Sequence, residues 1–298
     1  MTTPQVFSNE WIRQGLQRRE MIEPLEHLLA QEGEKLKELQ RLKEEDRMDF
    51  GPKIRAKEIE GLLLQVKPDV DAFLGVNDVG VPNVNDFNPQ LYISILGIVG
   101  FGFKIVVNTV MSQYNFEVDS FYDIRLPSYL LLAFVMGAII NKMPHFDIET
   151  KTMRVYGGDK ANRIPIIAHE YTHYVSYCIN QTPANKLKEE MAEEGLAFGV
   201  QRYIAQHYSE QEENPAFLYD VVRPSVISLK TVYKLCCKIN KQPQKKGLLN
   251  VNPYSYMTVA HQHKIGFVAC MLEELAQGSQ IYKQMLQGTF KPVVVIPN

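Results

Sequence analysis

The clearest chemistry in the chain lies in one run, His169-Glu170-Tyr171-Thr172-His173. Two histidines four positions apart share one helical face with side chains about 6 Å apart, close enough to grip one metal ion. Glu170, one position along, can reach the open side of such a metal and take a proton from a water there. The flanking residues suit a helix with one working face. Pro165 fits a first helical turn, where its missing N–H would be unpaired anyway. Ile166, Ile167, Tyr171, Tyr174, Val175 and Cys178 supply apolar packing, whereas His169, Thr172, His173, Ser176 and Asn180 form a polar stripe. Such a stripe must face water or a functional cavity, because unpaired polar groups are costly in a core.

A third ligand should come from the next helix. The first helix is expected to run about six residues past His173, an excursion of ~9 Å, before turning at Gln181-Thr182-Pro183. An antiparallel helix that starts near Lys186–Lys188 then returns level with the imidazoles at Glu193 or Glu194. The other acids of Glu189-Glu190-Met191-Ala192-Glu193-Glu194 can form a solvated face favoured by the helix dipole. Gly195 is expected to let the two helices pack closely at the metal.

The HEYTH run, 20 intervening residues and then Glu194-Gly195-Leu196-Ala197 together resemble the gluzincin clan of zinc metallopeptidases. That clan includes thermolysin-like and aminopeptidase N-like families and compact minimal gluzincins. The resemblance implies zinc held by His169, His173 and Glu194, with Glu193 the alternative third ligand and Glu170 the general base. Glu190 and Glu193 then read as solvent-facing or supporting carboxylates. Downstream, His263-Lys264-Ile265-Gly266 looks like the gluzincin helix that presents a transition-state donor one turn before a Gly. By that resemblance the donor is His263, with His261, Tyr254 and Tyr256 as alternatives. Met153-Arg154-Val155-Tyr156 resembles the edge strand on which such peptidases lay an extended substrate. The Gly-Ala-Met-Glu-Asn motif with which aminopeptidases hold a free α-amine does not occur in the sequence, which favours an endopeptidase acting on a protein or peptide. The resemblance covers about Phe146–Gln287, roughly half of the chain.

The remaining sequence must position these residues. The chain is expected to be mainly α with a small β element (α+β), a zincin-like catalytic core joined to an N-terminal helical region. Residues 1–85 are assigned to that helical region and residues 86–298 to the zinc metallopeptidase domain, with its core at about 146–287. Within the first part, Glu34–Asp46 carries Leu36, Leu39 and Leu42 as a narrow packing stripe, and Pro24, Gly33 and Pro52 are expected to divide the region into helices. Gly75–Pro89, rich in Asn, Asp, Gly and Pro, is expected to be a loop and the domain boundary. Asp147–Tyr156 is expected to be one short strand ending in a turn, and helical patterns follow at 164–179, 186–208, 216–239 and 256–287.

Two apolar segments, Leu91–Val110 and Leu126–Ile140, fall between these parts. A membrane span needs about 20 uninterrupted apolar residues. Lys104 and Asn108 interrupt the first segment and the second is short, so buried core helices are expected rather than spans. With 45% hydrophobic and 22% charged residues the composition is that of a globular chain, and a net charge of −2 offers no general attraction for nucleic acid or acidic lipid. The cysteines are Cys178, Cys236, Cys237 and Cys270, and an adjacent pair makes a poor disulfide framework. The start, MTTPQVFSNEW, lacks the basic and apolar regions of a secretory signal. The expected site of action is therefore the cytoplasm, or another cell's cytosol reached by a leaderless route. Two other readings compete with the peptidase: a non-catalytic helical interaction protein stapled by zinc, and a membrane-associated zinc protease. Glu170 argues against the first, since a structural zinc site is usually closed by a fourth protein ligand.

Overall fold

The computed structural model describes residues 10–77, 79–86, 145–155, 157–180, 191–243 and 261–296. Strong helix formers fill residues 22–44, and they form one unbroken helix. After the short helix α1 (Glu10–Gly15) and a 3-10 turn at Arg19–Met21, α2 spans Ile22–Glu44. Neither Pro24 nor Gly33 divides it. Pro24 falls in the first turn, where no N–H partner is lost, and a mid-helix Gly costs only about 1 kcal/mol relative to Ala. Leu25, Leu28, Leu29, Leu36 and Leu39 turn one face inward, while Arg41 bridges Glu38 and Glu45 on the exposed face. Pro52 does fall between helices. Beyond it, α3 (Ile59–Leu74) buries Ile59, Leu62, Leu63, Val66, Val70 and Leu74.

Two small sheets follow. β1 (Lys53–Ile54) pairs antiparallel with β5 (Gly158–Asp159). β2 (Asn83–Asp86) pairs parallel with β4 (Thr152–Val155), and β4 pairs antiparallel with β3 (His145–Asp147). The expected loop at 75–89 therefore contains a strand, supplied with a partner from 66 residues or more further along the chain. The expected single strand from Asp147 is instead a hairpin. Asp147 Oδ1 accepts the backbone N–H groups of Glu149 and Thr150, and this turns the chain before β4 begins.

β4 is the middle strand, with both flanks hydrogen-bonded. This corrects the expectation that Met153–Val155 is an open substrate-binding edge; among the described residues the edges are β2 and β3. Register also constrains what lies between them. Asp86 pairs with Val155 and His145 with Arg154, so both strands meet the 87–144 stretch at one end of the sheet, about 10 Å apart. Both apolar segments, 91–110 and 126–140, belong to that stretch and lie outside the described residues.

The remaining helices are α4 (Lys160–Asn180), α5 (Met191–Gln211), α6 (Ala216–Ile239), α7 (His261–Gln277) and α8 (Gln280–Leu286). The pattern read as one helix from 256 to 287 is broken at Gly278, whose φ of +81° suits glycine. The mainly helical class with a small β component is what the structure has. The expected boundary between residues 85 and 86 falls inside β2, and the helices before it share one hydrophobic core with α4–α8. Leu25, Leu63 and Val70 are buried in it beside Ile167, Val200, Leu229 and Phe267. Polar contacts join the same parts: Tyr171 donates to Asp71 (3.0 Å), Tyr208 to Asp69 (3.1 Å) and Tyr233 to Glu26 (2.9 Å).

This shared core predicts the effect of losing the N-terminal helices. Leu63→Ala should lower unfolding free energy by about 2–5 kcal/mol in urea titration. A chain lacking residues 1–66 should show no cooperative thermal transition by circular dichroism, because α2, β1 and half of α3 go with it. A two-state melt near that of the full chain would separate these helices from the fold.

Candidate metal centre

α4 carries the HExxH run through its middle and is held at its start by residues before β1. The N–H groups of Lys160 and Ala161 donate to the carbonyls of Pro52 and Phe50 (both 3.1 Å). Because the helix begins at Lys160, Pro165 sits inside it rather than in its first turn; it is buried there and removes the bond to the Ala161 carbonyl. The polar stripe faces α5. Thr172 is fully buried and returns its hydroxyl to the Ala168 carbonyl (2.7 Å), while Ser176 donates to Glu193 (2.6 Å) and Asn180 to Ser176 (3.2 Å).

That contact separates the two acids. Glu193 is engaged with Ser176, and Glu194 turns toward the histidines. Glu194 Oε2 is 3.6 Å from His169 Nε2 and Oε1 is 3.7 Å from His173 Nε2. The two Nε2 atoms are 3.2 Å apart. Nitrogens bound tetrahedrally to one ion at about 2.0–2.1 Å are separated by about 3.3 Å. His169, His173 and Glu194 thus form a cluster that could hold a metal ion, with every donor atom within 4.8 Å of the others. Burial holds His173 down to about 4 and His169 well below its ordinary value, so both imidazoles are neutral near pH 7 and their contacts with Glu194 are not ion pairs.

The acids show the complementary state. Burial, with the charge of Glu193 beside it, pushes Glu194 up to about 8. Burial and the charge of Glu194 push Glu170 up to about 8, opposed by a hydrogen bond from the Phe146 N–H on β3. Among the described residues no Lys or Arg acts on either carboxyl to lower it. The donor set of two neutral imidazoles and a carboxyl fits a divalent cation.

α7 completes the enclosure. His263 Nδ1 stands 3.6 Å from Glu194 Oε2, with its side chain 35% exposed. It is the expected donor residue brought to the cluster. Tyr254 and Tyr256 lie outside the described residues, as do Glu189 and Glu190, and so does the side chain of His261. The approach of α7 depends on glycine. A Cβ on Gly266 would lie 1.8 Å from the Met191 carbonyl oxygen, and one on Gly195 would meet Cys270 Sγ at 2.3 Å. Gly195 therefore admits α7 rather than α4, a correction to its expected role. Cys270 is buried in this packing, Cys236 on α6 donates to the Leu16 carbonyl, and all four cysteines are free.

The sequence reading missed the Phe146 N–H on Glu170 and the Ser176–Glu193 contact. The second was within reach, since Ser176 shares the stripe with His169 and His173. The first was not, because it depends on the pairing of β3. No family model, characterised protein or solved structure matches the chain.

The protonation states set a pH dependence for metal binding. In the metal-free protein Glu194 keeps its proton up to about 8, whereas His173 has lost its proton above about 4. Binding between pH 5.5 and 7.5 must therefore displace a proton from the carboxyl and none from His173. Zinc affinity should rise about tenfold per pH unit across that range in chelator competition. A flat profile would mean that Glu194 is already ionised and outside the ligand set.

Proposed function

We propose that the chain is a zinc-dependent endopeptidase whose metal ligands are His169, His173 and Glu194. The observation that carries this reading is the meeting of the three donors with a fourth group, Glu170, buried beside them and fixed by a backbone N–H. A structural metal site has no use for that extra carboxyl, and it usually closes its fourth position with a protein ligand. Zinc held there would polarise a carbonyl and acidify a water. The chain's own residues do the rest. Glu170, which the charge of a bound cation would bring to its ionised form, takes the proton of the attacking water and passes it to the leaving amine. His263, on the far side of Glu194, donates to the oxyanion that develops on the former carbonyl oxygen. Ser176 holds Glu193 away from the ligand position, and the Phe146 N–H favours the ionised form of Glu170.

A membrane-associated form of the same enzyme is the second reading. Its support is the pair of apolar segments, 91–110 and 126–140, both inserted between β2 and β3, which meet that stretch at one end of the sheet. No helix among the described residues is long and apolar enough to cross a membrane. Flotation of the full chain with phospholipid vesicles separates the two: retention at the bottom of the gradient supports the first form.

The central test compares wild type with Glu170→Gln. The variant should keep its zinc and melting temperature and lose most turnover, since only the base is removed. New N-termini should appear in lysates treated with wild type and be absent with the variant. Equal cleavage by both proteins would overturn the mechanism, and zinc binding without any cleavage would leave the stapled interaction protein. Metal analysis adds a check: Glu194→Ala should lose zinc and Glu193→Ala should retain it.

His263→Ala separates chemistry from packing. If the imidazole contacts only the transition state, kcat should fall by about 10²–10³ with KM nearly unchanged. Zinc content and melting temperature should hold. A destabilised variant with normal turnover would make His263 a packing residue of α7.

A further inference from the structure

The sites considered so far leave one ligand atom unexplained. Nε2 of His169 faces His173 and Glu194, but its other ring nitrogen, Nδ1, is buried without a hydrogen bond of good geometry. A histidine that binds a metal through one nitrogen almost always gives its second N–H to an acceptor, which fixes both ring orientation and tautomer. On α5, two turns beyond Glu194, Gln201 supplies a candidate. Its side chain is buried (8% exposed), and it stands near enough to the His169 ring to favour a proton there. Phe198, between Glu194 and Gln201 on the same helix, sets its ring 4.6 Å from that of His169 and packs against Phe267 of α7.

We infer that the side-chain oxygen of Gln201 accepts the Nδ1–H of His169 and thereby holds the tautomer whose Nε2 lone pair points at the metal position. The inference rests on the metal site proposed above, and the geometry there gives it a purpose. A neutral imidazole carries one proton, which can sit on either nitrogen. If it sat on Nε2 of His169, that N–H would lie 3.2 Å from Nε2 of His173, a good hydrogen-bond length. The two ligands would then satisfy each other and exclude the metal. An acceptor at Nδ1 draws the proton to the far side of the ring and leaves two lone pairs facing one point. The amide is also suited by its neutrality: Glu170, Glu193 and Glu194 already crowd the pocket, and a carboxylate at 201 would add a fourth acid. Gln201 touches neither substrate nor metal in this arrangement, so it is a positioning residue that works through His169.

The test uses the full chain with Gln201→Met, which keeps the length of the side chain and removes the acceptor, and Gln201→Glu, which keeps an acceptor. Imidazole ¹⁵N spectra report the tautomer of His169 in metal-free and zinc-loaded protein, and chelator competition reports zinc affinity. In wild type, Nδ1 should carry the proton in both states. Gln201→Met should show a mixed or Nε2–H tautomer when metal-free and bind zinc about 10–100-fold more weakly, with the melting temperature of the metal-free protein unchanged. Gln201→Glu should restore the wild-type tautomer. An Nε2–H tautomer in metal-free wild type would overturn the inference, as would Gln201→Met with wild-type spectrum and affinity. If Gln201→Met does not fold, the spectra of wild type and Gln201→Glu decide. If wild type binds no zinc while its tautomer is as expected, the peptidase reading falls and the Gln201 contact stands.

Discussion

The burial of several acids beside neutral imidazoles is the constraint around which the described structure is arranged. Glu170, Glu193 and Glu194 lie together with His169 and His173 between α4 and α5, and α7 adds His263. Burying like-charged carboxyls raises their proton affinity and costs folding free energy, which the rest of the chain must offset. Two local devices limit the strain. The Ser176 hydroxyl takes one oxygen of Glu193, and the Phe146 N–H takes the Glu170 carboxyl. A cation at the cluster would remove the remainder, so metal binding and stability are coupled here by charge alone.

The offset comes from outside the site. The N-terminal helices pack along α6 and the back of α4, and they reach the ligand helices through polar contacts as well as apolar ones. Glu32 of α2 is 5% exposed and meets Arg202 of α5 at 3.2 Å. Arg202 in turn donates to the Met271 sulfur at 3.4 Å and lies over the Phe267 ring of α7. One guanidinium thus ties α2, α5 and α7 together one turn past the Phe198–His169 contact. A buried pair of this kind contributes little net stability, but removal of one partner leaves an uncompensated charge. Its main effect is on the relative placement of the three helices, which is also what the metal donors require.

How much of this was legible in the sequence follows from the range of each interaction. The HExxH face and the return to Glu194 could be read because helix geometry converts spacing directly into position. The choice of Glu194 over Glu193 needed the side-chain partner on α4, although Ser176 was already in view. Pro24 and Gly33 were overread as breaks, since a proline in a first turn is harmless and the buried leucines on both sides of Gly33 hold α2 together. The errors in the β region have another cause. β2 lies in a polar Asn- and Asp-rich run that has no strand pattern of its own, and it is a strand because β4 offers a parallel partner. β4 loses its expected open edge for the same reason. Gly195 was correctly marked as a close contact, but only the tertiary structure shows that α7 is what approaches.

The two glycines at that approach explain why the site needs the helices in this order. Gly195 follows Glu194 directly, so whatever meets its bare backbone also sits beside the ligand carboxylate. Gly266 is three residues after His263, one turn along the same face of α7. When Gly266 seats against the Met191 carbonyl, His263 is carried to Glu194 without any contact of its own being required. The placement of the imidazole therefore follows from backbone packing, and its side chain stays 35% exposed. The two histidines on α4 are placed differently, by buried side chains and by the Phe50 and Pro52 carbonyls that hold the start of the helix. Rigid backbone contact at α7 and side-chain burial at α4 leave α5 as the element that both must match, and the Glu193–Glu194 pair sits at the point where the two meet.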